Sequence, residues 1–282
     1  MFTLIESEKD LQYLNEELLE CPFLGLDTEF RRTTKNNMKL ALLQVNDYEE
    51  IYLIDCLKIK EPVANCSFLF SEKVKKIFHS CREDLDAIFS WTHQEMVNIF
   101  DTQLANAFLG GSHSISYKRL VNDKFGLTID KKETRTNWLR RPLTDAQLDY
   151  AASDVEFLLE IYYEQIEELI KSNKFDWLEE ELVYISSKIS IDPIVCLSEK
   201  RDSNITRQEE KNLLGKFNEI VLNISRIEKI NPTLFFSKRS QRDFLKLIIN
   251  FGLEEAFKKI TPWRRSLINK PLSRIVTDTV QL

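Results

Sequence analysis

Five side chains in this sequence have the types and spacing for acid–base or metal chemistry. They are Asp27 and Glu29 in FLGLDTEF, Asp84 in HSCREDLDAI, and Tyr150 and Asp154 in LDYAASDV. In a strand, residues two apart share a face, so Asp27 and Glu29 point the same way. Carboxylates held side by side repel, and each favours protonation unless a positive charge lies between them. Asp84 falls in the first turn of a helix, where the N-terminal end favours negative charge. Tyr150 and Asp154 stand four residues apart, one helical turn along and about 40° around. Each motif alone also has a plainer reading: a solvated strand end, a decorated helix start, an exposed helical pair. At the level of separate motifs both readings stand open.

Such groups act together only if the elements beneath them converge. Apolar runs at 23–30, 39–45 (KLALLQV) and 50–56 (EIYLIDC) predict an antiparallel meander, with NDYEE as a turn. A fourth strand, KKIFHS at 75–80, leads into EDLDAIFSW, and NIFDTQLANAF repeats strand then helix. This order predicts a mixed sheet with helices on its faces. Ser80 with Glu83 reads as a capping box opening the Asp84 helix, and Thr144 with Gln147 as a second. The helix opened by Thr144 carries an apolar face at Leu148, Ala151, Val155, Leu158 and Leu159, and Asp101 predicts a cap for the helix after it. Further helices are predicted around 115–125 and 145–171, with an amphipathic closing helix at 174–189. Pro193 and a polar cluster predict a linker over 191–206. FNEIVLNISRIEKI, SQRDFLKLIINFGL and LEEAFKKI beyond it have helical spacing. The division predicted is a first domain at 1–190 and a small all-helical module at 207–282.

Composition narrows the classes. Hydrophobic content of 43% and charged content of 30% describe a soluble globular protein. The opening MFTLIESEKDLQYL mixes charges with apolar residues, so neither a signal nor a transit peptide is expected. No apolar run approaches the roughly 18–20 residues of a membrane span. Five cysteines with no Cys-x-x-Cys or zinc-ligand spacing read as reduced thiols and predict a cytoplasmic protein. Six glycines without a GxGxxG or a P-loop remove dinucleotide and P-loop readings. Residues 1–190 carry 22 Lys+Arg against 34 Asp+Glu, and residues 191–282 carry 17 against 11. An acidic body with a basic tail suggests a metal-rich site in the first part and a polyanion tether in the second.

In order and spacing, DTEF, KLALLQV, YLIDCL, HSCREDLDAI, FDTQLANAFLG and DKKETRTNWLRRPLTDAQLDYAASDV resemble the ribonuclease D family. That family belongs to the tyrosine branch of the DEDD exonucleases, and the likeness covers residues 20–170. It implies an α/β fold, an RNase-H-like mixed sheet flanked by helices, followed by a small all-α HRDC-like module. ITPWRRSLINKPLSRIV is similar to the end of such a module. The family carries one or two of these modules, and the short tail here implies the loss or reduction of one. Asn137 replaces the Asp usual before Trp138; that position is not a metal ligand.

The activity implied is 3′→5′ removal of nucleoside 5′-monophosphates from RNA 3′ ends, tRNA precursors and other structured RNA among them, with no membrane and no small-molecule cofactor. Two divalent cations about 3.5–4 Å apart can activate water and offset charge on the phosphate and the leaving 3′-oxygen. A carboxylate cluster without Cys or His suits Mg²⁺ or Mn²⁺. By resemblance, Asp27, Glu29 and Asp154 bind the ion that holds the attacking water. Asp27 bridges to a second ion, which Asp84 supports, and Tyr150 orients the water. Phe30 packs on the terminal base or sugar, or else in the core. Arg140 and Arg141 contact phosphate, or else form an exposed pair. His79 reads as the end of a buried strand rather than a ligand. Two alternatives remain beside this reading: a DNA-directed 3′→5′ exonuclease and a catalytically inactive nucleic-acid-binding adaptor.

Overall fold

The protein is seen in a computed structural model that describes residues 2–34, 37–129, 136–187 and 206–277. The chain opens with β1 Phe2–Ile5, α1 Glu8–Leu18, β2 Phe23–Thr34, β3 Asn37–Asn46 and β4 Ile51–Asp55. Next come α2 Pro62–Asn65, β5 Lys75–Phe78, α3 Arg82–Thr92, β6 Ile99–Asp101, α4 Thr102–Phe108 and α5 Tyr117–Phe125. The helices α6 Asp145–Ser153, α7 Leu158–Lys171 and α8 Phe175–Ser187 follow, then α9 Arg207–Glu228, α10 Pro232–Phe236, α11 Lys238–Phe251, α12 Leu253–Phe257 and α13 Pro262–Thr277.

Two compact units divide these elements. Met1–Leu104 with Ser114–Lys171 forms one, and Ala105–His113 with Ser172–Leu282 the other. Helix α8, predicted to close the first domain, therefore groups with the helical unit. The linker predicted at 191–206 lies almost wholly outside the described residues.

The first unit is built on a six-stranded sheet in the order β1-β4-β3-β2-β5-β6. β2, β3 and β4 form the antiparallel meander expected from their turn-separated apolar runs. β1, β5 and β6 each lie parallel to a neighbour, which makes the sheet mixed. β1 is an addition to the sequence reading: FTLI is too short and too soon interrupted by charge to signal a strand. In β3, Ala41, Leu42, Leu43 and Val45 are all buried, because both faces of the central strands are covered. One face carries Leu42, Leu53, Trp138 and Ala151 in a shared cluster against which Tyr150 packs.

The second unit is helical. Phe217, Phe236, Phe244 and Phe257 pack edge and face along its centre. Buried Trp263 donates from its indole to Glu181, which also pairs with Arg264. The Arg264 guanidinium further donates to the Leu234 and Phe235 carbonyls, so a buried ion pair also satisfies the end of α10.

Candidate active site

The site begins where β2 leaves the core. Leu24 and Leu26 are fully buried, and the strand then presents Asp27 and Glu29 on one face. The ladder breaks just after Glu29, where Glu29 pairs with Leu42 but Phe30 with Leu40. Ala41 is thus an extra residue on β3, and its carbonyl accepts instead from the Arg141 guanidinium at 2.9 Å.

Asp154 arrives from a different element. The continuous helix predicted over 145–171 does not form; α6 ends at Ser153 and Asp154 is its C-cap. The capping box at Thr144 and Gln147 is present as predicted. The break from 154 to 157 is held from outside. Asn46 donates to the carbonyls of Val155 and Glu156 at 2.9 and 3.2 Å, and the Tyr117 hydroxyl accepts from the Phe157 N–H at 2.9 Å. Gly25 lets α7 approach, since a Cβ there would stand 3.1 Å from the Leu158 Cβ. As a result, carboxylate oxygens of Asp27, Glu29 and Asp154 all lie within 4.8 Å of one another.

Asp84 stands next to this trio at the start of α3. The capping box predicted from Ser80 and Glu83 is absent: Cys81 is the N-cap and Ser80 turns left-handed at φ 66°. Asp101 does the capping, accepting from the N–H groups of Ser80 and Cys81 while also holding those of Gln103 and Leu104. One carboxylate thereby joins the starts of α3 and α4, where sequence spacing shows only the second. Thr28, between the two strand carboxylates, donates to Asp84 at 2.5 Å.

Crowding and burial shape the charges. Burial, then Asp84, Asp154 and Glu29, drive Asp27 well above the ordinary carboxylate range. Glu29 is pushed up to about 9 by burial and by Asp154 and Asp84, against the pull of Lys118. Burial lifts Asp84 to about 7, although its bond from Thr28 opposes the rise. Asp154 is also raised by burial, with the Tyr150 hydroxyl bond and Lys118 acting the other way. A half-open cleft of about 320 Å³ adjoins these groups, lined by Asp27, His79, Lys118, Tyr150 and Asp154 among others.

Comparison with known proteins shows the family. The sequence model of the 3′-5′ exonuclease family matches residues 2–170. This chain belongs to the 3′-5′ exonuclease family. Ribonuclease D of Shewanella sp. (strain ANA-3) is 38% identical over 181 residues, 64% of this chain and 47% of that protein. Ribonuclease D of Haemophilus influenzae is 42% identical over 149 residues, 53% and 37% of the two chains. The chain spans about half the length of the curated relatives it matches. In three dimensions it resembles the crystal structure of Escherichia coli RNase D, described as an exoribonuclease involved in structured RNA processing. The TM-score is 0.65 at 24% identity, over 99% of this chain and 75% of that one. The catalytic core of RRP6 from Trypanosoma brucei aligns with a TM-score of 0.61 at 21% identity, over 99% and 79%.

Within this exonuclease domain, oxygen donors alone make up the cluster, which fits a hard cation and not zinc. The fully buried Gln44 faces Asp27 across the ladder, and neither of its amide atoms has a partner among the described residues. Tyr150 stands beside Asp154 as predicted, its ring 6.1 Å from Trp138. Phe30 is half-buried beside the bulge. Arg140 is exposed, but Arg141 corrects the prediction of a phosphate contact. It forms a two-pronged pair with buried Asp55 at 2.6 Å and donates to the carbonyls of Trp138, Arg140 and Ala41. Those bonds occupy all its donors. His79 bonds through both ring nitrogens, to Thr102 and the Ile115 carbonyl, as suits a strand end rather than a ligand. Thr28, Asn46, Tyr117 and Lys118 were not legible as site residues. Thr28 had the one available signal, its place inside Asp-x-Glu.

Proposed function

We propose that this chain is a metal-dependent 3′→5′ exoribonuclease. It uses two divalent ions, Mg²⁺ or Mn²⁺, to release nucleoside 5′-monophosphates from the 3′ ends of tRNA precursors and other structured RNA in the cytoplasm. The convergence of Asp27, Glu29 and Asp154 within 4.8 Å carries this reading. Hard cations in such a cluster make water more acidic and offset negative charge on the phosphate and the leaving oxygen.

Asp27, Glu29 and Asp154 hold one ion, and Asp27 with Asp84 the other. The Thr28 hydroxyl donates to Asp84 and holds its carboxylate in place. Tyr150 orients the attacking water, its own hydroxyl being aligned by Asp154. A phenol with an ordinary pKa near 10 is a poor base at neutral pH, so orientation rather than proton removal is its part. Water adds to phosphorus, the bond to the upstream 3′-oxygen breaks, and that oxygen takes a proton. Phe30 stacks on the terminal nucleotide, and Arg140, but not Arg141, contacts phosphate.

The helical unit, an HRDC-like module, tethers the RNA. Lys211, Lys238 and Arg242 line a cavity of about 300 Å³ between α9 and α11. None of the three forms an ion pair among the described residues.

The test gives the chain 3′-extended RNA and matched DNA with Mg²⁺, beside an Asp27→Asn variant. Mononucleotide release from RNA alone, abolished by Asp27→Asn, is expected. Equal release from DNA would replace the RNA reading with a DNA-directed one. No release, with no thermal shift on adding Mn²⁺, would leave an inactive adaptor.

A further inference from the structure

Lys118 is a cationic cleft residue to which the proposed reaction gives no part. It follows Tyr117 at the start of α5, a helix capped by the Ser116 side chain accepting from the Arg119 N–H. Tyr117 is buried and its hydroxyl is tied to Phe157, so the backbone beside Lys118 is fixed to the same break that presents Asp154. The half-buried Lys118 side chain lines the cleft with Asp27, Tyr150 and Asp154. Its Nζ lies 4.4 Å from the centre of the Tyr150 ring, within cation–π range. Among the described residues lining the cleft, it is the one lysine or arginine.

The charges of a loaded site leave a role for this cation. Two divalent ions cancel the four carboxylates of the proposed centre. A phosphodiester then brings one negative charge, and attack by water adds to it, in a cleft where fixed donors act more strongly than in bulk water. We propose that the Lys118 ammonium contacts a non-bridging oxygen of the scissile phosphate and offsets the charge that builds there. This rests on the exoribonuclease reading above. A positive charge lining the same cleft as Asp27 and Asp154 repels an entering cation. Its removal should strengthen ion binding and slow the reaction, whereas removal of a merely structural lysine would weaken both.

The experiment titrates Mn²⁺ by calorimetry into the ion-stripped full chain and its Lys118→Met, Lys118→Gln and Lys118→Arg variants, with circular dichroism confirming folding. Single-turnover release of the 3′ nucleotide from RNA is then measured for each. Lys118→Met and Lys118→Gln are expected to bind Mn²⁺ several-fold more tightly. Their rate should fall about tenfold to a hundredfold, the range for one charge-assisted hydrogen bond. Lys118→Arg should keep both properties near those of the unaltered chain. Weaker Mn²⁺ binding with a slower rate, or an unchanged rate, overturns the assignment. If the unaltered chain binds Mn²⁺ yet cleaves no RNA, the exoribonuclease reading falls and takes this contact with it. If the unaltered chain cleaves and Lys118→Gln keeps pace, Lys118 alone is refuted.

Discussion

Three carboxylates with oxygens within 4.8 Å of one another cannot all stay charged without a counter-ion. Without an ion, burial and the neighbouring carboxylates keep a proton on Glu29 up to about pH 9, burial keeps one on Asp84 up to about pH 7, and unfolding returns both to ordinary acidity. The folded state binds more protons through that window, so its stability falls as pH rises from the ordinary carboxylate range toward 9. Denaturation of ion-stripped protein at several pH values should show that decline, and Glu29→Gln should flatten it. At pH 8 the Glu29→Gln midpoint should rise by at least about 2–4 °C, the shift that one kcal/mol gives in a domain of this size. Mn²⁺ added in weak buffer at pH 7 should release protons. The neighbouring arginines separate by what they touch. Arg141→Ala abandons buried Asp55 and should lose about 3 kcal/mol in urea unfolding. Arg140→Ala should leave stability alone and weaken RNA binding.

At the scale of elements, the turn between α6 and α7 decides whether Asp154 reaches the strand carboxylates. Helical spacing runs on through 145–171 and gives no sign of an interruption. The side chains that hold the break, Asn46 as donor and Tyr117 as acceptor, come from β3 and α5, more than 30 residues distant in sequence. Asn46→Ala leaves two carbonyls without their donor and should destabilise by about 1–3 kcal/mol. It should also weaken Mn²⁺ binding, because Asp154 is no longer held. Gly25→Ala sets a methyl group against the Leu158 Cβ, a backbone-attached atom that cannot rotate away. Overpacking of about 1–3 kcal/mol is expected, read as a lower melting temperature, with Mn²⁺ affinity reduced through the same shift of α7.

Across the whole molecule, the acidic sheet unit and the basic helical unit have different expected duties. Replacing Lys211, Lys238 and Arg242 together with alanine should weaken binding of long RNA. Each phosphate contact contributes about 0.7 to the single-strand salt dependence, so the slope of log affinity against log salt should fall by about 2. Hydrolysis of a dinucleotide, too short to use a tether, should be unchanged. The division of the chain was less visible in sequence than its charge. Helix α8 has the amphipathic pattern of a closing helix, yet Tyr184 and Glu181 bind Lys259, Trp263 and Arg264, so its partners lie in the helical unit. An apolar stripe shows that a helix must be covered, not by what.

The sequence by itself determined the central meander, the mixed sheet, the Thr144 capping box, the helical character of the tail and the identity of the acidic residues. These follow from local alternation, short-range spacing and side-chain chemistry, all written within a few neighbouring positions. Tertiary structure alone decided the added β1 strand, the α6–α7 break, the transfer of capping from Ser80 to Asp101, and the withdrawal of Arg141 onto Asp55. Each depends on hydrogen-bond partners or packing surfaces remote along the chain. A backbone group or a charge settles with whichever remote partner the fold brings near it, and local spacing carries no record of that choice.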